Sequence, residues 1–350
     1  GHRHPAVIKE LKKQATKLTL TSRAFMNDQL GPWYRELINY CAVPGLTMAL
    51  PMNTGAEAVE TAIKAARLWG YQKKKIARNQ ARIIVAADNF HGRTTTIVSF
   101  STEPLYRDGF GPYAPGFDIV PYGNTTAIKN KITKNTTAIM LEPIQGEAGI
   151  ILPPAGYLQE VFRLCQKNNI LLLLDEIQTG FGRTGKKFAF QHERGVKPDL
   201  LILGKALGGG VMPISAVVGK KQILSLFQPG SHGSTFGANP LACAVSRKAL
   251  EIMTIDRLEE RSEILGQYLI DNLRKIKSPY IDHIRGKGLF VGIVLKPSAG
   301  GARRFCERLA SQGVLLKETH EHVIRVAPPL TITKKDLDML LKKLTTVLTK

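Results

Sequence analysis

Four short runs in the middle of the chain are apolar almost without interruption: residues 137–142 (Thr-Ala-Ile-Met-Leu-Glu), 170–175 (Ile-Leu-Leu-Leu-Leu-Asp), 199–203 and 214–218. A strand with one wet face alternates apolar and polar residues, whereas these runs do not, so both of their faces must be covered. Each is too short for a core helix, and amphipathic helical patterns lie between them, clearest at 157–167. Further strand candidates lie at 81–86, 95–100 and 117–121, and a helix is expected over 56–69 after Asn53-Thr54-Gly55. Strand alternating with helix predicts an α/β domain on a largely parallel sheet. Ligands of such sheets gather beyond the carboxyl ends of the strands.

The pattern changes near residue 240. A long helix (239–254) leads into a charged one (257–276), followed by strand-like segments at 283–295 and 322–326 and helices at 300–312 and 334–348. The last carries Leu337, Leu341, Leu344 and Leu348 on one face. The expected organisation is a leading segment over 1–45, a large domain over 46–250 and a smaller α+β domain over 251–350. A chain of 350 residues buries a core of that size readily. It opens at Gly1 with neither a methionine nor a signal pattern, and reads as a chain that begins inside a longer one.

No apolar run reaches about 18 residues, so no membrane span is expected. Cys41, Cys165, Cys243 and Cys306 lie far apart with no CxxC spacing, which predicts reduced thiols, no metal site and a reducing compartment. The net charge of +21 raises the question of a nucleic-acid or anionic-surface partner. The basic residues are dispersed along the chain, the densest cluster (Lys73-Lys74-Lys75 with Arg78) is short, and no aromatic residues interleave to stack on bases. The charge is therefore read as a solvated surface, with neither nucleic acid nor membrane expected as a partner.

Chemistry concentrates at the carboxyl ends of the central strands. The run 170–174 delivers Asp175, and the run 199–203 delivers Lys205 just before Gly208-Gly209-Gly210. An acid and a lysine so placed match the needs of pyridoxal 5'-phosphate (PLP). The lysine amine forms a Schiff base with the aldehyde, and the acid keeps the pyridine nitrogen protonated. Asn53-Thr54-Gly55-Ala56-Glu57-Ala58 opens the 56–69 helix, and this start either offers free N–H groups to a phosphate or is simply a helix cap. Ser234 and Thr235 either add hydroxyls to that phosphate or form a turn. Phe90 and Arg93 either stack on a flat ring and grip a carboxylate, or simply pack at a strand end. Glu142 and Glu147 are site acids or loop caps. Gln178 can hydrogen-bond a ring hydroxyl. Arg325, a charge in an apolar strand, is a buried ion-pair partner or a carboxylate anchor. Gly180 to Lys186 imitates a nucleotide-binding P-loop, but Lys187 stands where Ser or Thr is needed and no helix opens there.

Taken together these stretches resemble the class III aminotransferases, PLP enzymes of fold type I, and most of all the bacterial-type members acting on ornithine. The resemblance is carried by Pro-Met-Asn-Thr-Gly-Ala-Glu-Ala at 51–58, Asn-Phe-His-Gly-Arg-Thr at 89–94 and Glu-Pro-Ile-Gln-Gly-Glu at 142–147. Asp-Glu-Ile-Gln-Thr-Gly at 175–180, Leu-Gly-Lys-Ala-Leu-Gly-Gly-Gly at 203–210, Gly-Ser-Thr-Phe-Gly at 233–237 and Lys-Glu-Thr-His at 317–320 extend it. It implies Lys205 as the Schiff-base lysine and proton shuttle, and Asp175 as partner of the pyridine nitrogen. Phe90 and Ile177 are implied on the two ring faces, Gln178 at the phenolic oxygen, and Gly55 and Ala56 at the phosphate.

Thr235 is implied to reach the cofactor of a partner subunit, making a homodimer or higher homo-oligomer obligatory. Arg93 and Arg325 are implied as carboxylate anchors, Glu147 as the switching partner of Arg325, neutralising an arginine while ornithine is bound, and Glu142 as an acid behind the ring. The implied reaction moves the δ-amino group of L-ornithine to 2-oxoglutarate, giving glutamate 5-semialdehyde and glutamate. The implied location is the cytoplasm, or the mitochondrial matrix of a eukaryote. Two departures accompany the resemblance. Residues that contact ornithine are expected in a segment preceding Gly1, and Gly237-Ala238-Asn239 replaces a usual glycine pair.

Overall fold

The computed structural model describes residues 1–349. Helices α1 (Pro5–Ala15) and α2 (Leu30–Cys41) precede strand β1 (Leu46–Met52) and helix α3 (Gly55–Gln72). Then come β2 (Arg82–Ala86), the one-turn helices α4 (Thr95–Val98) and α5 (Pro104–Arg107), β3 (Phe117–Val120), α6 (Thr125–Lys131) and β4 (Thr136–Leu141). They are followed by α7 (Tyr157–Lys167), β5 (Leu171–Asp175), β6 (Leu200–Leu203), β7 (Ser215–Lys220) and the short α8 (Lys221–Leu224). The chain closes with α9 (Pro240–Ile255), α10 (Leu258–Arg274), β8 (Ile281–Lys287), β9 (Phe290–Leu295), α11 (Arg303–Ala310), β10 (Lys317–Thr319), β11 (Val323–Val326) and α12 (Lys334–Thr349).

Seven strands form one sheet in the order β1-β7-β6-β5-β4-β2-β3. The pairs from β3 through β6 are parallel, while β7 runs antiparallel to both β6 and β1. Successive side chains of a strand point to opposite faces, and the two faces bury different sets. Ile83, Val85, Met140, Leu171 and Leu173 pack on the alanine-rich face of α3. Ile84, Ile139, Leu141, Leu172 and Leu174 pack on the side of α7. Burying a leucine such as Leu172 or Leu173 completely contributes roughly 1.5–3 kcal/mol each. The α7-side core continues through α9 and α10 to Phe305 of α11 and Leu344 and Leu348 of α12, beside the antiparallel sheet β10-β11-β9-β8. Trp33 of α2 donates to Ser246 of α9 at 2.9 Å, tying the leading helices to the same core.

Three local expectations change. Residues 95–100, read as a strand for their β-branched run, form α4, capped by Thr94, whose Oγ1 accepts from Ile97 N at 3.3 Å. Both edges of β2 are already taken by β3 and β4, so tertiary context overrides the propensity. β1 is an additional strand that Pro51 disguises; proline is tolerated because β1 is an edge. The single segment 283–295 is a hairpin of β8 and β9, turning at Gly288 with φ +54°.

Candidate active site

The loops after β2, β4, β5 and β6 converge on a cavity of about 210 Å³, lined by Gly55, Ala56, Phe90, His91, Gly92, Glu142, Asp175, Ile177, Gln178, Thr179 and Lys205. Seven of the residues expected at a cofactor therefore meet at one place. Asp175 is the last residue of β5 and is buried. Its Oδ1 accepts from Ile177 N at 3.0 Å, and its Oδ2 lies 2.7 Å from His91 Nδ1.

Lys205 follows β6 through Gly204 and takes φ +40°, a left-handed conformation that side-chain-bearing residues seldom adopt. The residue is exposed because it projects into the open cavity. Protein nevertheless surrounds its amine closely. Desolvation lowers the Lys205 pKa and outweighs the opposing pull of Glu147 and Asp175, with Arg325 adding to the lowering. A lysine shifted that way holds more of the neutral amine that attacks a carbonyl.

The start of α3 is built for an anion. Thr54 and Glu57 form a reciprocal cap: Thr54 Oγ1 accepts from Glu57 N at 3.2 Å, and Glu57 Oε2 accepts from Thr54 N at 2.7 Å. Satisfying these donors from behind leaves the Gly55 and Ala56 N–H groups, without intrahelical partners, on the cavity wall. A Cβ on Gly55 would stand 3.0 Å from Ile177 Cδ1 and close the gap.

At the cavity's mouth Glu147 Oε1 accepts from Arg325 Nη1 at 2.5 Å and from Gln178 Nε2 at 3.2 Å. Burial alone would raise the Glu147 pKa, but Arg325, Gln178 and Lys317 more than reverse this and hold it below the usual range. Gly146 makes room for Gln178, since a Cβ there would lie 1.5 Å from Gln178 Oε1. Glu142 accepts from Phe90 N at 3.0 Å and Gly146 N at 3.3 Å. Its pKa is pushed up to about 7 by desolvation, despite His91, with Asp175 adding to the rise.

Glu147 and Arg325 adjoin the cavity through Gln178 without lining it, and two further expected residues lie elsewhere. Arg93 does not line the cavity; its guanidinium lies 4.6 Å from the Tyr106 ring centroid and 5.8 Å from that of Phe90. Thr235 is exposed in a separate groove with Arg23 and His232, while its neighbour Ser234 accepts from Asn53 Nδ2 at 2.7 Å. One residue was missed. His91 is wholly buried between Asp175 and Phe100, and its Nε2 has no hydrogen-bond partner among the described residues. Burial would lower its pKa, yet Asp175 and Glu142 raise it. Its place between Phe90 and Gly92 was the available signal, but its partner is 84 residues away.

A strand-end acid, a partly desolvated lysine, an anion-ready helix start and an aromatic wall around one small cavity define a PLP enzyme of fold type I. The chain belongs to the class III aminotransferase family, whose profile matches residues 1–348, and it is a PLP-dependent transaminase. It is 58% identical to an ornithine aminotransferase of Brevibacillus brevis, over 99% of this chain and 86% of the relative. Its structure superposes on the ornithine aminotransferase of Toxoplasma gondii with a TM-score of 0.96 at 41% identity, covering 99% of this chain and 83% of the other. An acetylornithine aminotransferase of Elizabethkingia anophelis gives a TM-score of 0.89 at 46% identity, covering 99% and 86%. No helix among the described residues is long and apolar enough to cross a membrane.

Proposed function

We propose that the chain transfers the δ-amino group of L-ornithine to 2-oxoglutarate, giving glutamate 5-semialdehyde and glutamate. When bound, PLP supplies the electron sink that makes the hydrogen on the substrate's reacting carbon acidic. Lys205 would hold its aldehyde, Asp175 its ring nitrogen, Gln178 its phenolic oxygen, and Gly55 and Ala56 its phosphate, with Phe90 and Ile177 against the two ring faces. In the proton transfer Lys205 Nζ acts as general base and then general acid, and the lowering of its pKa by desolvation favours the neutral amine that the base role needs.

The observation that carries the reading is the Glu147–Arg325 pair at the cavity's mouth. The δ-carbon of ornithine bears no carboxylate, so an arginine beside it is best masked by Glu147. The 2-oxo acid presents a carboxylate next to its reacting carbon, and Arg325 released from Glu147 meets it with a two-pronged contact. Arg93, resting on aromatic faces with no acidic partner among the described residues, is available to the carboxylate at the far end of either substrate. The relatives named for ornithine support this choice of donor.

We also assign Thr235 to the cofactor of a partner subunit, because it is exposed and lies outside its own chain's cavity. The free, buried cysteines suit a reducing compartment, and the cytoplasm is the proposed location. The test is a direct comparison of ornithine and N-acetylornithine as donors to 2-oxoglutarate. Semialdehyde forming from ornithine with the higher kcat/KM supports the assignment. No product from ornithine, with turnover of the acetylated donor, overturns it.

A further inference from the structure

In the linear sequence the excess positive charge looks scattered; the fold gathers nearly half of it at one place. The parallel strands deliver their carboxyl ends to the cavity, so the segments feeding into them lie at the opposite edge of the sheet. These are residues 73–82 before β2, 115–118 before β3, 129–136 before β4, 167–171 before β5 and 197–200 before β6. Lys220 and Lys221 join them, because antiparallel β7 ends where β6 begins, with Gly219 opposite Leu200. Lys74 Nζ confirms the neighbourhood by bridging Thr136 O at 2.7 Å and Asn168 O at 3.2 Å. These segments hold twelve of the chain's 49 Lys and Arg but only two of its 28 Asp and Glu.

The two acids are spent inside the edge. Asp118 pairs with Arg82 and Asp199 with Lys220, each at 2.6 Å. What remains outward is cationic. Lys73, Lys75 and Arg78 are exposed before β2, and Lys129, Lys131 and Lys134 before β4. Lys167, Lys197 and Lys221 continue the row, and none of these nine has an ion-pair partner among the described residues. From β7 to β3 the row crosses six strands, a span of about 24 Å at the usual strand spacing of ~4.8 Å.

The chemistry between the cations narrows the partner. Asn79, Gln80, Asn130 and Asn169 are exposed among them, and amide side chains donate well to phosphate oxygens. No large apolar side chain is exposed within these segments, so the edge lacks the apolar centre of a protein interface and the wedge that anchors a protein in lipid. The stacking aromatics that hold single strands are missing as well. We propose that this edge binds the phosphate backbone of double-stranded nucleic acid without reading its sequence. The cavity lies at the other end of the same strands, so binding leaves transamination unobstructed.

The test uses the PLP-loaded full chain and a fluorescently labelled mixed-sequence 20-base-pair DNA duplex, with anisotropy read between 50 and 300 mM NaCl. Binding at 50 mM NaCl is expected in the micromolar range, weakening steeply with salt as counterions are released. The combined variant Lys73→Gln, Lys75→Gln, Arg78→Gln, Lys131→Gln, Lys134→Gln is expected to bind at least about tenfold more weakly, with its log–log salt slope shallower by about 4, at unchanged transaminase activity. A control variant removes five exposed cations elsewhere: Lys12→Gln, Lys17→Gln, Lys277→Gln, Lys296→Gln, Lys335→Gln. Retention of binding by the control supports the proposal. It is overturned by an equal loss in both variants, by no anisotropy change at ~100 µM protein, a level where weak non-specific DNA binders respond, or by phosphatidylserine vesicles displacing the protein from the duplex.

Discussion

His91 shows how a buried residue beside the strand-end acid is fitted to set the site. Its Nδ1 sits 2.7 Å from Asp175, and nothing else polar reaches that oxygen among the described residues. The histidine both orients the carboxylate and shares its charge, which on the proposed reading leaves the acid's remaining capacity for the cofactor nitrogen. A hydrogen bond to a charged group contributes ~1.5–3 kcal/mol, so His91→Ala should weaken PLP binding by roughly 10- to 100-fold. Equilibrium dialysis of the apoprotein against PLP reads this without any turnover. An unchanged dissociation constant would show that His91 merely fills space.

Individual residues also show what could be read from sequence. Asp175 and Lys205 were legible because each ends an apolar strand, and a parallel sheet sends both ends to one edge. His91 was not, since its meaning depends on β2 and β5 sharing a sheet with β4 between them. The Glu147–Arg325 pairing spans 178 residues and two sheets, so residue types and spacing supplied both members, and only the family resemblance joined them.

At the scale of elements, the helices declared themselves through periodicity and the central strands through unbroken apolar runs, while the exceptions were decided by neighbours. Residues 95–100 have the side chains of a strand, but both sides of the preceding strand β2 are already paired, and Thr95–Val98 close a helical turn capped by Thr94 instead. Pro51 hid β1, whose edge position makes the proline harmless. The junction of β5 with the 189–192 turn makes a testable case. Glu176 Oε1 accepts from Phe190 N at 2.9 Å and Oε2 from Ala189 N at 3.0 Å, inside the core. Desolvation pushes its pKa up to about 7, against the lowering pull of these hydrogen bonds and Thr179.

A raised carboxyl pKa means the folded state holds its proton more tightly than the unfolded one. Its stabilising contribution is therefore complete below the ordinary value near 4.5 and is lost as pH rises through about 7. Over that window the loss amounts to about 3 kcal/mol. Urea melts of the apoprotein should show stability falling between pH 5 and 8, and Glu176→Gln should flatten that slope. A slope of the same steepness in the variant would assign the effect elsewhere, with buried Glu142 the first candidate.

Across the whole molecule, one sheet separates two unlike ends. The amino ends of its strands carry cations, and the carboxyl ends carry the paired acids, bases and open N–H groups of the cavity. Thr235 belongs to a third region, the groove it shares with Arg23, Tyr34 and Phe227. If that face meets a second copy, light scattering of the holoenzyme should return twice the 38.5 kDa chain mass or a higher even multiple. Thr235→Ala should then loosen PLP by about tenfold, the loss of roughly 1.4 kcal/mol expected when one phosphate hydrogen bond is removed. A monomer with full PLP affinity would refute the shared site.

The backbone at Lys205 carries one more consequence. Its φ of +40° is a shape that any residue with a Cβ resists, at a cost of ~1–2 kcal/mol. The lysine proposed to carry the cofactor thus sits where the local chain geometry disfavours any side chain. Lys205→Gly and Lys205→Ala both abolish the amine, but only glycine relaxes into that geometry. The glycine variant should melt above the alanine variant, by a few degrees for each ~1 kcal/mol recovered. On the proposed role of Lys205, activity and durability pull in opposite directions at this single bond.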